Sequence, residues 1–207
     1  MNYHPVTQYN RQRTFDFFKE YQNPFYAMTF NLDITELYSF CKSNDYSVYT
    51  NLCYLFTLAC NQQEAFRYRI LQQQLVLYEQ VHIRATIPQA DGHYSFVRLN
   101  FDPDIHDFNQ EASTAVALAA REDIFHEERF HRNFIFFSAV PGTPFTGLTH
   151  AVRDNTDCEP RVSFGRFFEE KGRRWVPLGL QVNHMLIDGA HLDALYRSVQ
   201  DHYLNPE

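Results

Sequence analysis

One histidine in this sequence lies where a catalytic base would be expected. His184 ends an apolar run typical of a strand, and the turn-forming pair Asp188-Gly189 follows it, ahead of an amphipathic helix. A histidine at a strand end is fixed by the sheet while its ring stays accessible to substrate. Neutral imidazole can take up a proton near neutral pH and return it later. The pattern therefore predicts that His184 is a general base.

Other reactive side chains give weaker signals. The chain has 10 histidines, and a lone histidine before an Asp-Gly turn is more often an ordinary surface residue. The 4 cysteines form no CxxC pair and have no metal-ligand spacing, so no metal is expected. Three of them lie in apolar runs, which predicts buried free thiols and a cytoplasmic protein. The cysteines are Cys41, Cys53, Cys60 and Cys158.

Length and charge restrict the class of protein. A chain of 207 residues suffices for one domain with a hydrophobic core, so a single domain over 1–207 is expected. With 18 basic against 25 acidic residues and a net charge of -7, the chain lacks the basic excess of a nucleic-acid-binding protein. No apolar run approaches the ~20 residues of a membrane span, and the N-terminus does not resemble a secretory signal.

Aromatic residues are abundant at 16% of the chain, with 20 Phe and 13 Tyr. Most are expected to pack in the core. Some are expected to line a pocket for a flat, partly apolar ligand.

The elements that must position these residues alternate between helices and strands, which favours a mixed α/β domain. Asp33, with Glu36 three residues later, is a variant capping box that predicts the start of the second helix. A mostly antiparallel mixed sheet covered by helices, in a two-layer sandwich, fits the order. Helices are predicted at 11–22, 33–41, 49–62, 107–128 and 191–203, and strands at 25–32, 65–70, 75–78, 81–87, 94–99, 133–140, 161–169 and 175–184.

Several stretches together resemble one known family. They are His184-Met-Leu-Ile-Asp188-Gly189, Arg11-Gln-Arg-Thr-Phe-Asp-Phe-Phe18, Leu32-Asp-Ile-Thr35, Phe136-Phe-Ser-Ala-Val-Pro141 and Phe145-Thr-Gly-Leu148. The first is similar to the HxxxDG motif of the CoA-dependent acyltransferase superfamily. The others resemble segments of the chloramphenicol acetyltransferases within that superfamily. The resemblance covers nearly the whole chain and is weak between Gln89 and Asn133.

The resemblance implies an acetyl-CoA-dependent O-acetyltransferase for a small hydroxyl compound, with chloramphenicol and antibiotic resistance as candidates. In the family, the histidine that matches His184 deprotonates the acceptor, which attacks the thioester directly. The aspartate that matches Asp188 has a structural role and pairs with the arginine that matches Arg11. The family is trimeric with active sites between subunits, so the resemblance also implies a homotrimer.

Further site residues follow from the same resemblance. The acceptor pocket of the family implies Phe17, Phe18 and Tyr26, for which core packing is the alternative. Ser163 takes the position of a threonine that binds an active-site water, and an ordinary strand serine is the alternative. The CoA site of the family implies Arg166 and Phe167, and a charged residue at a sheet edge is the alternative for Arg166.

Two positions depart from the family. Gly147 replaces the serine that donates to the tetrahedral oxyanion, and the neighbouring Thr146 and Thr149 are candidate substitutes. Ser47 replaces a lysine near the CoA phosphates. These changes keep the acyltransferase hypothesis and predict weak acetylation of chloramphenicol.

Two other functions remain open from the sequence. A non-catalytic acyl-CoA-binding module would fit the missing serine. The catalytic domain of a dihydrolipoyl acyltransferase also ends its motif in Asp-Gly, but no lipoyl domain or Ala/Pro linker is present.

Overall fold

The computed structural model describes residues 3–121 and 132–206. Within these residues the chain forms ten strands, five α-helices and one 3-10 turn. The strands are β1 (Tyr3–Pro5), β2 (Phe25–Asp33), β3 (Tyr68–Leu71), β4 (Gln74–Tyr78), β5 (His82–Pro88), β6 (Tyr94–Leu99), β7 (Phe134–Ala139), β8 (Arg161–Phe164), β9 (Phe168–Glu170) and β10 (Arg173–Asn183). The helices are α1 (Gln12–Lys19), α2 (Thr35–Ser43), α3 (Val48–Asn61), α4 (Ile105–Ala119) and α5 (Gly189–Leu204), and the 3-10 turn is Glu64–Phe66.

The described strands form two sheets. The main sheet has the order β2-β10-β8-β7-β5-β6, with β9 paired to the start of β10. β7 runs parallel to both β5 and β8, and the other pairs in this sheet are antiparallel. The small sheet has the order β1-β4-β3 and is antiparallel. The prediction of a mixed, mostly antiparallel α/β fold is confirmed.

Strand β10, the longest of the described strands, has one apolar face and one polar face. Side chains alternate between the two faces of a strand. Leu178, Leu180 and Val182 belong to the hydrophobic core, which also contains residues of α2, α3, α4 and α5. Gln181 and Asn183 therefore point to the opposite face, where they bond to a long loop. That polar face carries several of the predicted site residues.

One predicted strand is divided in two. The segment 161–169 was expected to be continuous, but β8 ends at Phe164 and β9 begins only at Phe168. The backbone N–H of Arg166 donates to the carbonyl oxygen of Thr143 in a neighbouring loop, at 3.1 Å. Arg166 and Phe167 therefore lie in a connection and not in a strand.

The predicted capping box at Asp33 does not form. Its carboxylate accepts from the backbone and hydroxyl of Thr35, at 3.0 and 2.7 Å, and also contacts the guanidinium of Arg173. Helix α2 begins at Thr35 without a side-chain cap from Asp33. Asp33 instead joins the start of α2 to β10.

Other differences concern element ends. The segment 65–70 begins as a 3-10 turn, and only its last part belongs to β3. The described part of the fourth predicted helix is α4, and 122–128 of that prediction lie outside the described residues. Strand β1 was not predicted.

All four cysteines are free and buried. Burial raises the pKa of Cys41 to about 11 and that of Cys158 to about 12, and it also raises the pKa values of Cys53 and Cys60. Among the described residues, no three His, Cys, Asp or Glu side chains are grouped so that they could hold a metal ion. In that same part of the chain, no helix has the length and apolar character needed to cross a membrane.

Candidate active site

His184 lies just after β10, between two aromatic rings. The Phe18 ring of α1 stacks on it with centroids 4.1 Å apart and an interplanar angle of 15°. The Tyr26 ring of β2 lies 4.6 Å from it at 41°. The backbone N–H of His184 donates to the carbonyl oxygen of Pro24 at 2.7 Å. Packing and backbone bonding therefore hold the imidazole in a defined position.

Two polar atoms, one in this ring and one in the neighbouring Tyr26, lack a hydrogen-bond partner among the described residues. Nδ1 of His184 and the hydroxyl of Tyr26 are buried, and neither has a hydrogen-bond partner among the described residues. Buried polar atoms are nearly always paired, so such orphans are informative. Burial raises the pKa of Tyr26 to about 12, which keeps its phenol neutral. His184 itself is only partly buried, so its exposed part lies away from Nδ1.

The structure brings Arg11 and Asp188 together. Their side chains form an ion pair at 2.7 Å, and Arg11 also donates to the carbonyl oxygen of Leu186 at 2.5 Å. The Asp188 carboxylate accepts from the backbone N–H of His191 and so caps α5. No hydrogen bond between Asp188 and the His184 ring is found in the described part of the chain. Asp188 thus fastens α1 to the turn after His184.

The charge of Asp188 is favoured by its surroundings. Burial alone would raise the pKa of this carboxyl, but Arg11 and His191 act against burial and lower it below its usual value. Asp188 is therefore ionised at neutral pH, as its ion pair requires.

An exposed group of aromatic rings lies next to His184. The rings of Phe17, Phe18 and Tyr21 are 5.1 to 5.4 Å apart between centroids. Phe17 is 58% exposed and Tyr21 is 46% exposed. Phe15 and Phe18, three residues apart on one face of α1, both pack against the core. An exposed aromatic surface beside a candidate base suits an apolar ligand better than it suits water.

Ser163 belongs to a polar cluster elsewhere on the sheet. It is fully buried on β8, and its hydroxyl contacts both the Ser138 hydroxyl of β7 and Nε2 of His150, the latter at 3.0 Å. Burial, with a smaller effect of Arg161, lowers the pKa of His150. His150 could not be singled out from the sequence, because its contact with Ser163 arises only when the loop folds onto the sheet.

The loop after β7 packs against two glycines. A Cβ added to Gly165 or Gly179 would lie 3.1 or 3.3 Å from the ring of Phe145, so the absence of side chains makes room for that ring. Gly147 lies two residues further along. A Cβ there would meet nothing within 4 Å, and its φ lies outside the left-handed region. Thr146 is exposed.

The two residues expected at CoA have different surroundings. Arg166 is exposed, whereas Phe167 is partly buried and packs against the core. An exposed guanidinium is accessible to a phosphate, for which its geometry is well suited.

Within one chain the predicted site residues form two separate groups. Ser163 pairs with Gly179, five positions before His184 on β10. At about 3.3 Å per residue, this is roughly 16 Å along the strand. The first group, around His184, contains Arg11, Phe17, Phe18, Tyr26, His184 and Asp188. The second comprises residues of β8, the connection after it and the loop after β7, namely Thr146, Ser163, Arg166 and Phe167.

Comparison with known proteins gives a consistent result. The family model described as "Chloramphenicol acetyltransferase" matches residues 1–200. A chloramphenicol acetyltransferase of Proteus mirabilis is 25% identical over 199 residues, which cover 95% of this chain and 92% of that protein. A chloramphenicol acetyltransferase of Campylobacter coli is 26% identical over 200 residues, with 95% of each chain covered.

Solved structures show the same relationship. One chloramphenicol acetyltransferase superposes with a TM-score of 0.91 at 25% identity, over 98% of this chain and 99% of the other. The cubic core of the pyruvate dehydrogenase multienzyme complex superposes with a TM-score of 0.70 at 16% identity, over 94% and 87% of the two chains. The latter likeness shows a shared fold.

Proposed function

The chain belongs to the chloramphenicol acetyltransferase family, and we propose that it is an acetyl-CoA-dependent O-acetyltransferase with His184 as general base. The observation that carries the proposal is the position of His184, held between Phe18 and Tyr26 beside an exposed aromatic surface. A base needs firm support together with access to the reacting group, and this position supplies both.

The proposed reaction is a direct transfer. The acceptor hydroxyl gives its proton to His184 as its oxygen bonds to the thioester carbonyl carbon of acetyl-CoA. The resulting tetrahedral oxyanion collapses, the carbon–sulfur bond breaks, and His184 returns the proton to the CoA thiolate. The ring edge away from the buried Nδ1 is the edge accessible to the acceptor. Proximity and base catalysis together supply the rate.

The acceptor is proposed to be a small, partly apolar alcohol, with chloramphenicol as the first candidate. The exposed rings of Phe17 and Tyr21 offer aromatic contact to such a molecule. Phe18 and Tyr26, which contact the His184 ring, extend this aromatic surface. Ser163 in the second group is proposed to act on the acceptor indirectly, through the Ser138 hydroxyl that it contacts, because Ser163 itself is buried. Arg166 and Phe167 are proposed to contact CoA, with the exposed guanidinium facing a phosphate.

The distance between the two groups suggests how a complete site is assembled. A small acceptor and a thioester cannot bridge roughly 16 Å of strand within one chain. We therefore propose that two subunits share each site, with His184 of one facing the Ser163 group of the next. The resemblance to a trimeric family supports a homotrimer in which the whole chain is one domain. The four free, buried thiols support a cytoplasmic location for this trimer.

A thiol-release assay tests the proposal. The purified protein is mixed with acetyl-CoA and chloramphenicol, or with a panel of simple aromatic alcohols, and free CoA is followed. Thiol release that needs both substrates and is lost in His184→Ala supports the proposal. The matched control is His4→Ala, which removes an exposed histidine on β1.

The opposite result is equally definite. Tight binding of acetyl-CoA without thiol release for any acceptor would favour the non-catalytic acyl-CoA-binding module. The glycine at position 147, which has no hydroxyl to offer an oxyanion, is the feature that keeps this second function open.

A further inference from the structure

Two serines and a histidine form a continuous hydrogen-bonded chain on the polar face of the main sheet. Ser138 of β7 and Ser163 of β8 are directly paired in register, and their hydroxyl oxygens are in hydrogen-bond contact. His150 continues the chain with its Nε2 at 3.0 Å from the Ser163 hydroxyl. Ser163 is fully buried, whereas Ser138 is partly exposed. Ser138 is thus the end of the chain that can reach a ligand.

The backbone of His150 is fixed independently of its ring. Its N–H donates to Oε1 of Gln181 at 2.6 Å, and the Gln181 amide donates to its carbonyl oxygen at 3.3 Å. Two residues further along β10, the Asn183 amide donates to the carbonyl oxygens of Asn155 and Asp157, at 2.9 and 3.2 Å. Two buried amides therefore clamp the loop that carries His150 to the strand that ends at the base.

The tautomer of the His150 imidazole decides which group donates at each step of this hydrogen-bonded chain. His150 is neutral because burial and, less strongly, Arg161 lower its pKa, so one ring nitrogen carries a proton and the other accepts. A hydroxyl has a single proton to donate. If Nε2–H donates to Ser163, the Ser163 proton goes to Ser138, and the Ser138 proton remains for a ligand. Donors in such a row polarise one another.

We propose that Ser138 donates a hydrogen bond to the tetrahedral oxyanion of acyl transfer, and that His150 is a positioning residue that orients this donor through Ser163. The inference rests on the proposed function. A developing oxyanion in a sheltered site needs a preorganised donor, and Ser138 is a partly exposed residue held on strand β7. In the part of the chain that the structure describes, the Ser138 hydroxyl has no partner other than Ser163.

Kinetics on Ser138 variants form the first test, with acetyl-CoA and chloramphenicol as substrates. Ser138→Ala removes the donor and should lower kcat by ~10²-fold, with the KM for acetyl-CoA within about twofold. Ser138→Thr keeps a hydroxyl and should retain most of the turnover. Ser113→Ala is the matched control, because Ser113 is an exposed serine on α4 that bonds only within its helix. Full activity of Ser138→Ala would overturn the inference.

Variants of His150 test the positioning role. His150→Gln places an amide N–H at about the reach of Nε2 and should keep kcat within about fivefold of wild type. His150→Leu has no donor and should lower kcat by ~10-fold or more. Both retain the backbone clamp to Gln181, and thermal unfolding should verify that both fold. If the two variants were equally active, the inference that His150 positions Ser138 would be wrong.

A measurement without turnover fixes the direction of the chain. In protein with ¹⁵N-labelled histidine, NMR should show His150 with its proton on Nε2, with the signal assigned by its loss in His150→Gln. A proton on Nδ1 would reverse the chain and overturn the inference. Wild-type protein that releases no CoA would remove the proposed function, and the oxyanion role with it. Active wild type with unaffected Ser138→Ala would remove only the present inference.

Discussion

The ring of His184 depends on its aromatic neighbours for its position. Phe18 stacks on it and Tyr26 tilts against it, while its Nδ1 has no bonding partner in the described residues. A residue held in this way contributes reactivity more than stability. Its removal should therefore be visible in kinetics before it is visible in folding.

The first prediction concerns this residue. His184→Ala should lower kcat by at least ~10²-fold, because general base catalysis typically supplies 10²–10⁴-fold. The midpoint of thermal unfolding should change by only a few degrees. Steady-state kinetics and a thermal scan of the same samples check both statements. Near-wild-type turnover in the folded variant would mean that another group takes the proton.

The second prediction concerns Gly147, where a serine can be accommodated. An added Cβ meets no atom within 4 Å, and φ imposes no left-handed strain, so Gly147→Ser should fold like wild type. If Ser138 already serves the oxyanion, the new hydroxyl should add little in wild type and more in a Ser138→Ala background. A double-mutant cycle on chloramphenicol acetylation measures this coupling. A large gain in wild type alone would show an unfilled donor position.

At this scale the sequence predicted local placement better than contacts between distant residues. The position of His184 at a strand end and that of Asp188 in the following turn were predicted from a local pattern. His150 was not found, because it meets Ser163 only after a loop folds back onto the sheet. Contacts of that kind depend on register, which the spacing of residues in the chain does not contain.

At the scale of elements, the ion pair between Arg11 and Asp188 joins the start of α1 to the cap of α5. Asparagine is as good a helix cap as aspartate, so Asp188→Asn keeps the cap and removes the charge. The third prediction is that this variant loses about 1 kcal/mol of stability at pH 7, since the pair is only partly buried. Turnover should also fall, through movement of the turn after His184.

The pH dependence of this pair has a definite sign. The pKa of Asp188 is lower in the folded protein than in the unfolded chain. Its contribution is therefore present above the unfolded pKa and is lost as the pH falls through the folded one. Urea unfolding at pH 7 and pH 3 should show a stability difference between wild type and Asp188→Asn that shrinks at pH 3. An unchanged difference would mean that the charge is not responsible.

His82 gives a fourth prediction, with a different pH window. Its Nδ1 accepts the backbone N–H of Phe101 at 3.1 Å, just after β6, so the ring must be neutral there. Burial, followed by Arg98, lowers its pKa from 6.5 to about 4. The unfolded chain therefore takes up a proton first as the pH falls below 6.5, and stability should decrease from there to about pH 4.

The expected size of this effect is about 1–2 kcal/mol once partial exposure is allowed for. His82→Asn keeps an acceptor and should flatten that part of the stability curve. Denaturant unfolding between pH 4 and pH 7 checks the slope. The same slope in the variant would assign it to other groups.

Element types were predicted better than element ends. Periodicity identified β10 and α5 because their apolar faces are long. The break between β8 and β9 was missed, because the segment 161–169 has a strand-like composition throughout. The interruption comes from a tertiary contact, the Arg166 N–H bonded to Thr143, and from the seat of Phe145 over Gly165. The secondary-structure propensity of the segment predicts neither of these tertiary contacts.

At the scale of the whole molecule, the two separated groups of site residues predict that subunits share sites. Light scattering should give a mass of about three times the 24.6 kDa chain. The fifth prediction is complementation: His184→Ala and Ser138→Ala, unfolded and refolded together, should regain activity that neither has alone. In random trimers about a quarter of the interfaces would combine two intact halves.

Two outcomes would contradict shared sites. One is a monomeric mass with full activity. The other is a co-refolded mixture no more active than the sum of its parts, although mixed trimers are present. A mixture assembled without unfolding, in which subunits have not exchanged, provides the control.

The four buried thiols have a practical consequence. Reagents that detect CoA are attacked by thiolates, and all four cysteines are shielded from solvent with raised pKa values, namely Cys41, Cys53, Cys60 and Cys158. The native protein should therefore be silent in the same assay that reports turnover. After unfolding, the four cysteines of each chain should all react with the reagent. The same reagent therefore measures free CoA while the protein is native. It measures unfolded protein, through the exposed cysteines, once the protein is denatured.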